Sequence, residues 1–142
     1  MTTTGRAALA QVDLLVCQGA DNAYAFTYSR RTGETTTAVD LSTWSAHAQL
    51  RTRVGGALWL DLTNTAGGIT LDADGSITLL IGHAVTEDPA WNAYAKLDPK
   101  TGRPVPSGVW DLELTDGASG SPLRFVEGRV TVSPDVTRED SP

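Results

Sequence analysis

Alternation with a period of two constrains this chain more than any other feature. From Ala23 to Arg30, Tyr24, Phe26 and Tyr28 share one face while Ala23, Ala25, Thr27 and Ser29 share the other. Extended backbone produces that pattern, because successive side chains of a strand point to opposite sides. The same beat places Trp44, Ala46, Ala48 and Leu50 against Ser45, His47, Gln49 and Arg51. It returns as Ile77, Leu79 and Ile81 against Ser76, Thr78 and Leu80, and as Trp110, Leu112 and Leu114 against Asp111 and Glu113. Leu58, Leu60 and Leu62 oppose Trp59 and Asp61, and Gly55 and Gly56 join this run to the one before it as a hairpin.

Turn chemistry separates the runs. Gly19, Ala20, Asp21 and Asn22 close a first strand at Val12–Cys17 whose apolar residues fall on both faces, a strand expected to be covered on much of both sides. Residues 31–37 (RTGETTT) read as a polar connection, and Asp72 to Gly75 (DADG) as a tight hairpin turn. Between His83 and Ser107 the alternation lapses. Thr86 to Pro89 mark a short helical turn carrying Val85, Ala90 and Trp91, and Pro99, Pro104 and Pro106 a long loop. In the last strand, Leu123 to Val132, Phe125 is out of phase with Val126, Val130 and Val132, so a bulge is expected near Gly128.

The pattern predicts an all-β fold: a single antiparallel immunoglobulin-like β-sandwich of about eight strands with at most one short helix. No strand run precedes a long amphipathic helix, which argues against crossover units and a parallel sheet. The expected organisation is an N-terminal arm over residues 1–8, the sandwich over 9–133 and a C-terminal tail over 134–142. The predicted core is Val12, Leu14, Val16, Tyr24, Phe26, Trp44, Ala46, Ala48, Leu50, Leu58, Leu60, Ile77, Leu79, Ile81, Trp110, Leu112, Leu114, Val130 and Val132.

At 142 residues the chain is long enough to bury roughly 68–70% of its unfolded surface. Cys17 stands alone, so no internal disulfide contributes, and four Trp within 40% hydrophobic residues supply the packing instead. The net charge of −6 contains no basic cluster to neutralise phosphates, which makes nucleic acid an unexpected partner. No stretch reaches the roughly 20 apolar residues of a membrane span, and no charged start leads into a long apolar run, so the chain reads as soluble and unsecreted.

Chemistry-bearing residues are sparse. Asp72 and Asp74 lack the further ligands of a calcium loop and serve the turn. His47 and His83 have no partner at metal-ligand spacing, and Cys17 has no nearby base in sequence, so it reads as a small buried hydrophobe. Asp111 and Glu113 share one strand face as a glycosidase pair would, but alternation puts such pairs on any solvated sheet. No catalytic residue, cofactor site or metal site is expected. Trp91 and Tyr94 are the aromatics best suited to contact a partner or a sugar. The alternative for Trp91 is that it caps one open end of the core. With Arg103, Asp135 and Arg138 they make up the candidate partner contacts.

The block from Gly108 to Arg138 (GVWDLELTDGASGSPLRFVEGRVTVSPDVTR) forms two long strands, a Gly/Ser connection and a polar end, a shape suited to being docked. Together with VDLSTWSAHAQLR from Val39 to Arg51 and GGITLDADGSITLLI from Gly67 to Ile81, its part from Val109 to Arg138 resembles small proteins encoded among the structural genes of tailed bacteriophages and prophages. That type is similar to the immunoglobulin-like N-terminal domain of a baseplate upper protein. The resemblance implies a non-enzymatic virion protein, assembled in the host cytoplasm and docking on tail, neck or baseplate in several copies. It implies other virion proteins as partners, with self-association open and no membrane. Capsid decoration is the alternative within that class, and a host-glycan-binding module using the loop aromatics is the alternative from another. The connection from Trp91 to Ser107 is longer and richer in Pro than the resemblance leads one to expect.

Overall fold

A computed structural model describes residues 10–88, 91, 95–97 and 104–133, the side chains of 95–97 and 104–106 excepted. The chain runs through β1 (Ala10–Gln11), β2 (Leu14–Cys17), β3 (Asn22–Thr27), β4 (Ser29–Thr32), β5 (Thr35–Ala38), β6 (Ser45–Arg51) and β7 (Leu58–Thr63). It continues through β8 (Ile69–Leu71), β9 (Ser76–Ile81), the helix α1 (His83–Glu87), β10 (Ala95–Leu97), β11 (Pro104–Thr115) and β12 (Pro122–Ser133). Among the described residues the structure is all-β apart from that one short helix, and its sheets pack in a sandwich-like way around a shared core.

The larger sheet has seven strands, in the order β1-β12-β11-β6-β7, with β2 also on β12 and β10 on β11. The smaller has the order β3-β9-β8, and β4 and β5 form a separate two-stranded ribbon. The inner face of the large sheet buries Leu14, Val16, Ala46, Ala48, Leu50, Trp110, Leu112, Leu114, Val126, Val130 and Val132. Ile69, Ile77, Leu79 and Ile81 meet them from the small sheet. The two layers touch directly where the rings of Phe26 and Trp110 lie 5.9 Å apart. Tyr24 adds a polar tie, donating its hydroxyl to the Leu15 carbonyl at 2.6 Å. Burial pushes that phenol up to about 12, which keeps it a donor at ordinary pH.

Several expectations fail for identifiable reasons. β1 and β2 pair with β12 in parallel, so the large sheet is mixed. The whole domain lies between those partners in sequence, and no crossover helix is needed. Residues 31–37 are not a plain connection: β4 and β5 form a hairpin about Gly33, whose φ is +63°. The segment before Trp110 is likewise partly strand, since β10 pairs with the start of β11. The irregularity in β12 falls at Phe125, the residue left over between the pairs Leu112–Val126 and Glu113–Arg124. Gly128 has another duty: a Cβ there would overlap the Val12 carbonyl, which accepts the Trp110 indole N–H at 2.8 Å.

β7 departs from alternation in the same way. Leu50 pairs with Leu60 but Arg51 with Leu58, so Trp59 is an extra residue. The bulge turns Trp59 into the core and leaves Leu58 39% exposed, reversing the predicted faces at that end of the strand. Leu60 is only half-buried, while Leu62 is buried. Val12, Tyr24, Phe26 and Trp44 of the predicted core are partly buried against it. β2 is covered on one face alone, so Leu15 is 56% exposed. Cys17 is exposed as well, not the buried small side chain expected.

Candidate interaction surfaces

β11, at the centre of the large sheet, organises the outer face, because β6 and β12 pair with the same residues from either side. The register sets the outward side chains in rows. Arg51, Val109 and Arg129 form one row, Gln49, Asp111 and Glu127 the next, and His47, Glu113 and Arg124 the third. Asp61 of β7 extends the middle row beyond Gln49, and Gln11 of β1 extends it beyond Glu127. An acidic row therefore lies between a basic row and one of mixed charge.

The third row spends its charge on the middle one. The His47 ring pairs with the Asp61 carboxylate at 2.5 Å, and Arg124 approaches Asp111 at 3.7 Å and Glu127 at 3.4 Å. Hydrogen bonds from Gln49 and then His47 hold the Asp61 carboxyl below the usual carboxylate range. Asp111 thus sits in an ion pair on an open sheet face, beside the exposed Glu113. Pairs this exposed add little stability, typically about 0–1 kcal/mol.

The first row is left differently. Arg51 donates twice to the Gln49 side-chain carbonyl, at 3.2 and 2.9 Å, and once to the Gly56 carbonyl at 2.9 Å. Its guanidinium is fixed in orientation, and two of a guanidinium's five N–H donors remain unused by these bonds. The guanidinium of Arg129 makes no hydrogen bond or ion pair with the described residues; only its backbone N–H is engaged, donating to Asp13 at 3.0 Å. A recess of about 410 Å3 opens over this row, walled by Val54 and Gly55 of the β6–β7 turn. Val54 stands 88% exposed at its rim.

A second surface is the β4–β5 ribbon, every strand residue of which is exposed. β4 carries Arg30 and Arg31, whereas β5 (Thr35–Ala38) has no charge at all. Arg30 lies over the Tyr28 ring, 5.7 Å from its centre, at the ribbon's base. A third surface is the end of the sandwich around α1. There Asp21 accepts both the backbone N–H and the ring N–H of His83 at 2.8 Å, and buried Thr86 accepts the Gly19 N–H at 2.9 Å. The backbone bond and then the ring bond hold the Asp21 carboxyl low, and the Asp21 hydrogen bond raises His83.

Trp91 is 3% exposed, packed on Trp59 with ring centres 4.6 Å apart, and its carbonyl accepts the Trp59 indole N–H at 3.1 Å. It caps that end of the core, and the exposed contact ring expected of it is not there. Tyr94, Arg103, Asp135 and Arg138 lie outside the described residues. What sequence reasoning missed is the Arg51–Arg129 row. Its two members are far apart in the sequence, and only the pairing of both strands with Val109 brings them together.

Among the described residues, no group of three or more His, Cys, Asp or Glu side chains is placed to hold a metal ion. No helix among them is long and apolar enough to cross a membrane. No family model and no curated protein matches the chain.

Proposed function

We propose that this chain is a non-enzymatic structural protein of a tailed bacteriophage particle, docking on tail, neck or baseplate through strand edges, loops and termini in several copies. The observation that carries the reading is the β4–β5 ribbon. It is ordered yet exposed on both faces, so it adds nothing to the core of its own chain. Two-stranded ribbons are marginal alone, and an uncharged, Thr-rich edge such as β5 is the kind that proteins otherwise blunt with charge or Pro. A partner that adds a strand there would satisfy those backbone groups.

We further propose that the sandwich is of the immunoglobulin-like kind. Support comes from the wiring: β3-β9-β8 on one side and β12-β11-β6-β7 on the other follow the B-E-D and G-F-C-C′ orders of that architecture. The inter-sheet disulfide of antibody domains has no counterpart, because Cys17 lies on β2 and is the chain's one cysteine. The glycan-binding alternative rested on Trp91 and Tyr94; burial of the Trp91 ring takes away one of the two, and Tyr94 lies outside the described residues. Mass spectrometry of purified particles from a lysate that produces this chain tests the main reading. The chain is expected at a stoichiometry fixed from one preparation to the next; its absence from intact particles rejects the proposal.

A further inference from the structure

We infer that the Arg51–Val109–Arg129 row is a binding site for a carboxylate, presented by an Asp or Glu side chain of a partner protein. The inference goes beyond the virion reading and does not depend on it, since it concerns what the outer face binds rather than where the chain is assembled.

Geometry supplies the first part. Arg51 and Arg129 both pair with Val109, from opposite sides. Adjacent strands are about 4.8 Å apart, so their Cα atoms are separated by roughly 10 Å. Two long side chains at that spacing can close on one small anion above the low floor that Val109 provides. The recess over them, about 410 Å3, falls in the lower part of the roughly 300–1,000 Å3 range of small-ligand sites. It has room for a carboxylate side chain with its adjoining backbone, and Val54 at the rim offers an apolar contact to the methylenes that carry the acid.

Charge accounting supplies the second part. Five titratable side chains line the recess: Arg51, Arg124, Arg129, Asp111 and Glu127. Arg124 is committed to both carboxylates; Arg51 acts on the Asp61 carboxylate only through space, and neither Arg51 nor Arg129 is in an ion pair among the described residues. Arg51 is held in place by Gln49 and Gly56, so little further ordering is needed when a ligand arrives. Forked N–H groups match a carboxylate or a phosphate. The acidic row next to them decides between the two, because Asp111 and Glu127 repel a dianion more than a single negative charge.

Nuclear magnetic resonance titration of the intact chain tests this with three short peptides of one sequence, carrying Glu, Gln or phosphoserine at the central position. The Glu peptide is expected to shift the signals of Arg51, Val109 and Arg129, and to bind more tightly than the other two. Arg129→Gln, at an exposed position whose guanidinium supports nothing else described, is expected to weaken binding about tenfold, in keeping with loss of a charge-assisted hydrogen bond. Arg30→Gln on the β4–β5 ribbon, which does not line the recess, is expected to leave it unchanged. Equal binding of the Gln peptide, no shifts in this row, or equal loss in Arg129→Gln and Arg30→Gln would overturn the site. Tighter binding of the phosphoserine peptide would overturn the assignment to carboxylate.

Discussion

At the scale of single residues, the pair His83 and Asp21 gives the fold a dependence on pH whose sign can be worked out. Asp21 raises His83 above the ordinary imidazole value, so protonated His83 is favoured by the folded state. Its contribution is fully present below the unfolded pKa, about 6.5, and is lost as pH rises through the raised folded value. Asp21 is held low, so its contribution is present above the unfolded pKa of about 3.9 and lost as pH falls through the depressed value. The two effects overlap between about pH 4 and 6.5. His83→Gln is therefore expected to lower Tm more at pH 5.5 than at pH 8.5, a difference that thermal scans on the two proteins would read. An equal loss at both values would show that the ring contributes through packing alone. Both side chains are exposed, so the effect is a modest one.

At the scale of elements, alternation read the strands correctly wherever the ladder is regular and failed at each added residue. β3, β6, β9 and β11 follow the pattern because no extra residue falls within them: β3 and β9, and β6 and β11, pair in continuous register. At Trp59 and Phe125 one additional residue enters the ladder, and every face assignment beyond it is reversed relative to a strict period of two. The sequence signals the second case through Phe125, which is out of phase with Val126, but offers no such sign at β7, where Leu58, Leu60 and Leu62 keep perfect time. Substitution separates the two descriptions of β7. Trp59→Ala is expected to cost about 3–5 kcal/mol, as removal of a buried aromatic does. Leu58→Ser is expected to stay within roughly 0.5 kcal/mol, as changes at open surface positions usually do. Urea unfolding of both variants checks this, and the reverse order would put Leu58 back in the core. The candidate surface was hidden for a related reason: Arg51 reads as the polar end of one strand and Arg129 as the polar phase of another, and pairing alone makes them neighbours.

At the scale of the whole molecule, closure depends on contacts between the two ends of the chain. β2 pairs with β12 across a sequence separation of 116 residues, as in Leu14 with Val130, and its Leu14 and Val16 complete the buried inner face. Parallel pairing could not be anticipated from alternation, because a strand's inward and outward residues are the same in either direction. The β11–β12 hairpin is different: its arms are joined by the short turn at residues 116–121, in which Ala118 donates its N–H to Asp116. Closing a short loop costs less chain entropy than joining distant segments, so the hairpin should form before β2 is added. The folding kinetics follow. Val16→Ala is expected to speed unfolding and leave the refolding rate nearly unchanged, with a φ-value below about 0.3, whereas Leu112→Ala in the hairpin slows refolding with a φ-value above about 0.5. Stopped-flow refolding and unfolding across a urea series would measure both. A high value at Val16 would mean that the ends meet early, and that the parallel ladder nucleates the sandwich rather than sealing it.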